Sequence, residues 1–228
     1  MGTMPIPKLL ITMSAPMMFS MLIQALYNVV DSMFVSNISE AALTAVSLAY
    51  PVQNLIIALA TGTGVGINAL LSRNLGARNF TTANRVASNT IFLGIVGSLL
   101  VALIGAVGTR FYFSIQVSDP EIIQMGYDYL IWITVLSVGC FGQVLLSRLL
   151  QSTGKTFYSM VIQLVGALLN IILDPILIFG LLGCPTLGVS GAAIATVISQ
   201  FVGVGLGIYF NWKKNPEIKI TMSGMRPS

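Results

Sequence analysis

Six long apolar runs, at residues 9–34, 43–71, 86–108, 122–146, 158–182 and 189–212, take up most of this 228-residue sequence. About 20 consecutive apolar residues cross the hydrocarbon core of a bilayer as an α-helix, and each run reaches that length. In lipid every backbone polar group must find its partner inside the protein, which leaves helices and closed barrels as the only spanning structures. The chain is therefore expected to be all-α, an integral membrane bundle of six transmembrane helices. Charge content agrees: 8% of residues are charged and mean hydropathy is +0.89, whereas soluble domains carry about a quarter charged residues. The breaks between runs fall at 36–42, 72–85, 109–121, 147–157 and 183–188. Pro16, Pro51 and Pro175 lie inside runs, where membrane helices tolerate proline and often bend at it. The first run is long enough to stay in the membrane, so no cleavable signal peptide is expected.

The basic residues orient the bundle. With the N-terminus in the cytoplasm, Lys8, Arg73, Arg78, Arg85, Arg148, Lys155, Lys213, Lys214, Lys219 and Arg226 all lie on the cytoplasmic side, and only Arg110 lies outside. That is the positive-inside pattern. Glu40, Asp119, Glu121 and Asp128 gather on the outer side. The net charge of +4 thus reflects topology and contact with lipid headgroups, not nucleic acid. The expected location is the inner (plasma) membrane, with both termini cytoplasmic. Histidine is absent, which removes the commonest general base and zinc ligand. Cys140 lies in an apolar run and Cys184 in a short break, so the two are expected to be too far apart to bridge.

Once the loop and tail acids are set aside, two carboxylates remain inside runs, Asp31 and Asp174. A charge at mid-membrane costs several kcal/mol, so such residues face a protein interior or a wet cavity. Asp31 lies about 34 Å along its helix from Lys8, and Asp174 about 24 Å along its own from Tyr158, at 1.5 Å per residue. Both distances place them in the outer half, where they could share one cavity. Polar residues accompany each at helical spacing: Ser20, Gln24, Tyr27 and Asn28 with Asp31, Gln163 and Asn170 with Asp174, and Thr196 with Gln200 on the last helix. Singly, the glutamines also suit interhelical hydrogen bonding. The chemistry open to two such carboxyls is proton exchange in a desolvated site, or binding of a small hard cation by carboxylate, amide and hydroxyl oxygens. Pro175 frees the carbonyl of Ile171 by removing the N–H that would bond it, giving an extra ligand or a hinge.

Gly62-Thr63-Gly64-Val65-Gly66 lies in the middle of an apolar run with no strand before it, unlike a phosphate-binding loop; close helix packing or a flexible point is the better reading. Leu70-Leu71-Ser72-Arg73 and Leu145-Leu146-Ser147-Arg148 form a short echo, too brief to establish a repeat.

Several segments together carry a family resemblance. Asn170-Ile171-Ile172-Leu173-Asp174-Pro175, Gly188-Val189-Ser190-Gly191-Ala192-Ala193-Ile194-Ala195-Thr196, Pro16 with Gln24, Tyr27 and Asp31, and Ser72-Arg73-Asn74-Leu75-Gly76-Ala77-Arg78 resemble the MATE (multidrug and toxic compound extrusion) exporters, in the branch of DinF-like and MepA-like members. The resemblance implies an antiporter that exports lipophilic, cationic compounds in exchange for Na⁺ or H⁺, without a further cofactor. It implies a coupling cluster of Asp31, Asn170 and Asp174, with Tyr27 and Thr196 nearby and Pro16 as a helix bend. Family members have twelve helices in two lobes, so residues 1–214 are expected to be the N-terminal lobe and 215–228 a cytoplasmic tail or the start of a linker. The C-terminal six-helix lobe would be a required partner, whether this sequence is truncated or a separate chain supplies it.

Three alternatives stand beside that reading. A lipid-linked oligosaccharide flippase of the same superfamily would carry basic residues in its cavity, and no basic residue is clearly central to a run. An intramembrane aspartyl protease needs an aspartate dyad, but Asp174 precedes proline and neither aspartate has a GxGD setting. An inactive half-transporter is the third. The orientation is directly testable. With Cys140 and Cys184 replaced by serine, Glu121→Cys is expected to react with a membrane-impermeant maleimide on intact cells, and Lys155→Cys only after permeabilisation. The opposite labelling would reverse the topology.

Overall fold

The computed structural model describes residues 5–218. They form seven α-helices: α1 (Ile6–Ser36), α2 (Glu40–Gly76), α3 (Phe80–Gln116), α4 (Pro120–Val135), α5 (Val138–Ser152), α6 (Thr156–Phe179) and α7 (Val189–Lys214), with a short 3-10 turn at Leu181–Gly183. Among the described residues, α1, α2, α3, α6 and α7 are each long and apolar enough to cross a membrane, and α4 with α5 makes a sixth span. The all-α, six-span architecture is thus present. α1, α2 and α6 run as helix through Pro16, Pro51 and Pro175.

Two features differ from the sequence expectation. The fourth run is a broken span, bent by 46° where α4 meets α5. Thr134 explains the bend in part: its hydroxyl donates back to the carbonyl of Leu130 at 2.9 Å, a bond that distorts helices. Its side chain also fills the space above Gly105 of α3, where a Cβ would collide with it. At the break Ser137 donates its hydroxyl to the Ser98 carbonyl of α3 at 3.2 Å, so the interruption is bonded within the protein, as membrane depth requires.

The second difference is length. The expected breaks at 72–85 and 109–121 shrink to 77–79 and 117–119, because α2 and α3 each run 37 residues, about 55 Å at 1.5 Å per residue. Apolarity marks the part of a helix in hydrocarbon, whereas a helix ends where a turn or cap ends it. Here Arg78 takes a left-handed backbone (φ 57), and Asn79 caps α3 by accepting from the Thr82 amide at 3.2 Å. Ser39 and Asp119 cap α2 and α4 in the same way.

Packing follows the lipid-solvent rule. Leu103, Ile104, Val107 and Phe111 of α3 face outward, Val107 at 84% exposure, while Ser88, Thr90, Ser98, Asn170 and Asp174 are buried. α6 lies between α1 and α7, and α2 packs against α3, α4 and α5. α7 approaches α6 through Gly191, where a Cβ would sit 2.6 Å from the Leu177 carbonyl. Small residues permit this backbone contact. The loop after α6 closes with Gly180 in the left-handed region (φ 71), and the amides of Leu187 and Gly188 return to the Leu177 and Ile178 carbonyls at 3.0 and 3.2 Å. Those are the end-of-helix acceptors that a helix leaves unsatisfied.

Cys140 and Cys184 are both free thiols. The first residues of the expected tail stay on the bundle: Asn215 and Ile218 are buried, and Asn215 donates to Asn211 Oδ1 at 3.2 Å and accepts from Lys155 Nζ at 3.4 Å. Lys219, Arg226 and the rest of 219–228 lie outside the described residues, as do residues 1–4.

Gly191→Ala is expected to destabilise the protein by about 1–3 kcal/mol through overpacking of α6 against α7, seen as a lower thermal midpoint in detergent. Gly62→Ala, with nothing within 4 Å of its added carbon, serves as the control and is expected to leave the midpoint unchanged or slightly higher.

Candidate functional site

The site forms where α1 lies along α6. On α1, Leu22, Leu26, Val29 and Met33 are exposed, and the other face carries buried Ser20 with half-buried Tyr27, Asn28 and Asp31. From α6 come half-buried Gln163, Asn170 (2% exposed) and Asp174 (0%). The pairing of these faces brings the Asp31 and Asp174 side chains within hydrogen-bonding reach of each other. An ionised carboxylate has acceptors only, so a bond between two carboxyls requires a proton on one of them. Asp31 Oδ1 is buried without a hydrogen-bond partner among the described residues. One turn away, Asn170 donates its amide to Thr196 Oγ1 of α7 at 3.2 Å.

A cavity of about 190 Å³ opens beside this cluster. α1, α2, α4, α5, α6 and α7 all line it, and α3 does not. Of the residues expected from sequence, Gln24, Tyr27, Gln163, Asn170, Thr196 and Gln200 line the cavity. Asn28, Asp31 and Asp174 do not. The two aspartates adjoin each other four residues beyond Tyr27 and Asn170, about 6 Å further along their helices, toward the end of the bundle that holds Asp119. Pro175 follows Asp174 directly, and Pro16 accepts the Ser20 hydroxyl at 2.9 Å on its carbonyl.

Several residues of the site were not singled out by the sequence. Gln53 of α2 and Gln143 and Gln151 of α5 join Gln24, Gln163 and Gln200, so that six of the chain's eight glutamines line one cavity. Gln53 and Gln143 were visible as amides in apolar runs, the same signal that marked the other three. Gln143 reaches inward between Gly166 of α6 and Gly203 of α7, where added Cβ atoms would lie 3.3 and 2.7 Å from its side chain. Tyr129 of α4 is fully buried, donates its hydroxyl to Gln53 Oε1 at 3.4 Å, and lies within electrostatic range of Asp31, Tyr27 and Asp174.

Arg148 requires a correction. The sequence placed it in a loop as a topology marker, but it stands on α5 and lines the cavity. Its side chain passes over Gly64 of α2, where a Cβ would lie 2.8 Å from Arg148 Cγ. Close packing is thus what Gly64 provides in the glycine run. Among the described residues no group of three or more His, Cys, Asp or Glu side chains is placed to hold a metal ion. A Na⁺ site at Asp31, Asn170 and Asp174 would draw on an amide oxygen as well as two carboxylates.

Comparison with known proteins agrees with this geometry. A family model described as MatE matches residues 16–176. The chain is 31% identical to the FAD transporter of Shewanella oneidensis, covering 90% of this chain and 45% of that protein. It is 30% identical to the multidrug export protein MepA of Staphylococcus haemolyticus, covering 97% and 48%. Among solved structures, a MOP superfamily transporter from Pyrococcus furiosus superposes with a TM-score of 0.90 at 30% identity, over 97% of this chain and 48% of that one. The chain spans about half the length of these relatives. A multi-pass helical bundle whose polar residues turn inward onto a cavity, and whose sequence matches over residues 16–176, belongs to the MatE family of membrane transporters.

Proposed function

We propose that this chain is the N-terminal lobe of a cation-coupled multidrug antiporter, exporting lipophilic, cationic compounds across the plasma membrane in exchange for Na⁺ or H⁺. The observation that carries the reading is the adjacency of Asp31 and Asp174 where α1 packs along α6, with Asp174 fully buried. Two ionised carboxylates in contact and out of water repel each other, so one of them holds a proton or a cation lies between them. Either way the pair binds one positive charge, and releasing that charge changes the electrostatics of the α1–α6 contact. Asn170, Thr196 and Tyr27 stand one turn away, between the pair and the cavity, and would pass that change to a bound substrate. The similarity to MepA, a multidrug export protein, supports the substrate class. Alternating access moves one repeat against another, so a second six-helix lobe is the partner this reading requires.

A lipid-linked oligosaccharide flippase is the second reading, and Arg148 at the cavity is the observation in its favour. Saturable binding of a lipid-linked sugar, with none of a lipophilic cation, would replace the first reading by the second.

Asp31→Asn and Asp174→Asn are each expected to abolish gradient-driven export by the two-lobe protein in proteoliposomes, with substrate binding retained. Undiminished transport by either variant would refute the coupling role of that residue. Driving the same vesicles with a Na⁺ gradient or a pH gradient alone identifies the coupling ion.

A further inference from the structure

The cavity has a second charged end that the coupling reading leaves unused. Gln151 donates to Ser159 of α6 at 2.8 Å and accepts from Arg148 Nη1 at 2.9 Å, which fixes the guanidinium at the level of Ser159. Asp174 is fifteen residues further along α6, about 22 Å away at 1.5 Å per residue. The carboxylates and the guanidinium thus lie toward opposite ends of the cavity region. Arg73, Arg78, Arg85 and Arg110 are exposed, as residues that only orient a bundle would be. Arg148 alone among the described arginines is turned onto the cavity and half-buried. Among the described residues its hydrogen bond is to a neutral amide, with no carboxylate paired to it. Guanidinium has five N–H donors and no acceptor, so most of its bonding capacity is left for something else.

Two further groups point the same way. Ser147 and Ser199, each 4% exposed, line this cavity, and their hydroxyls have no hydrogen-bond partner among the described residues. Buried hydroxyls without partners are costly and rare. Gln143, held between two glycines, adds an amide to the same wall. Such a set, with one cation, two free hydroxyls and an amide, is complementary to an oxyanion with several acceptor oxygens.

We propose that Arg148, with Ser147, Ser199 and Gln143, forms a subsite at this end of the cavity that grips a carboxylate, sulfonate or phosphate group on an amphiphilic substrate. This rests on the reading that the cavity is the substrate site, and it is independent of which ion is coupled.

The test uses two probes with one fluorophore, dansylglycine, which carries a carboxylate, and dansylamide, which is neutral, titrated against the full 228-residue chain in neutral detergent. Arg148→Gln is expected to weaken dansylglycine about tenfold or more, the loss of a charge-assisted bond, and to leave dansylamide within about twofold. Arg148→Lys, which keeps the charge, is expected to hold dansylglycine within about threefold. An equal effect of Arg148→Gln on both probes, or none on either, overturns the subsite. Should Arg148→Gln not purify as a folded protein, the Ser147→Ala/Ser199→Ala double variant decides: selective weakening of dansylglycine supports the subsite, and unchanged binding overturns it. If neither probe binds the unaltered chain saturably, the cavity reading falls and the subsite with it. Coupling is tested separately by the transport of the Asp31 and Asp174 variants.

Discussion

Everything in this structure depends on where polar groups go when the solvent is lipid. In water a chain buries its apolar residues; here leucine, isoleucine, valine and phenylalanine also cover the outer surface, and the interior holds serine, threonine, asparagine and aspartate beside its apolar core. Each backbone or side-chain polar group that faced hydrocarbon would lose several kcal/mol of hydrogen bonding with nothing to replace it. The bundle therefore organises around a polar seam, and small residues such as Gly191, Gly166 and Gly203 set how closely the helices approach it.

That seam makes α6 the central element of the site. It is packed by α1 on one side and α7 on the other, so residues on its two flanks meet different partners: Asp174 meets Asp31, and Asn170 meets Thr196. The result is a short polar ladder in which the carboxylate pair is screened from the cavity by one helical turn. Under the proposed function, the pair would exchange a small cation while the wider space beyond Tyr27 and Asn170 would take the larger substrate. The broken fourth span adds to this arrangement, since its bend turns α5 so that Gln143, Ser147 and Arg148 line the cavity wall.

Much of this was legible in the amino-acid order. Run length and charge poverty demanded spanning helices, and the two carboxylates among apolar residues marked the cluster. What could not be read is instructive. Arg73 and Arg148 occur in identical four-residue contexts, yet Arg73 is exposed near the end of α2 and Arg148 lines the cavity. Nothing local distinguishes them. The difference lies in Gly64, distant in sequence, whose missing side chain leaves room for the Arg148 stem. The break at residues 136–137 was equally hidden, because neither proline nor glycine occupies it and its cause is a contact with α3 at Gly105 and Ser98.

The sequence by itself therefore determined the solvent, the class of fold and which residues are too polar to face lipid, since these follow from the hydration cost of each residue taken alone. Only the tertiary structure decided which residues meet: Asp31 beside Asp174, Gln53 with Tyr129, the Arg148 stem over Gly64. Those pairings arise between helices far apart in the chain, and the angle and separation of two packed helices depend on side-chain shapes along their whole length.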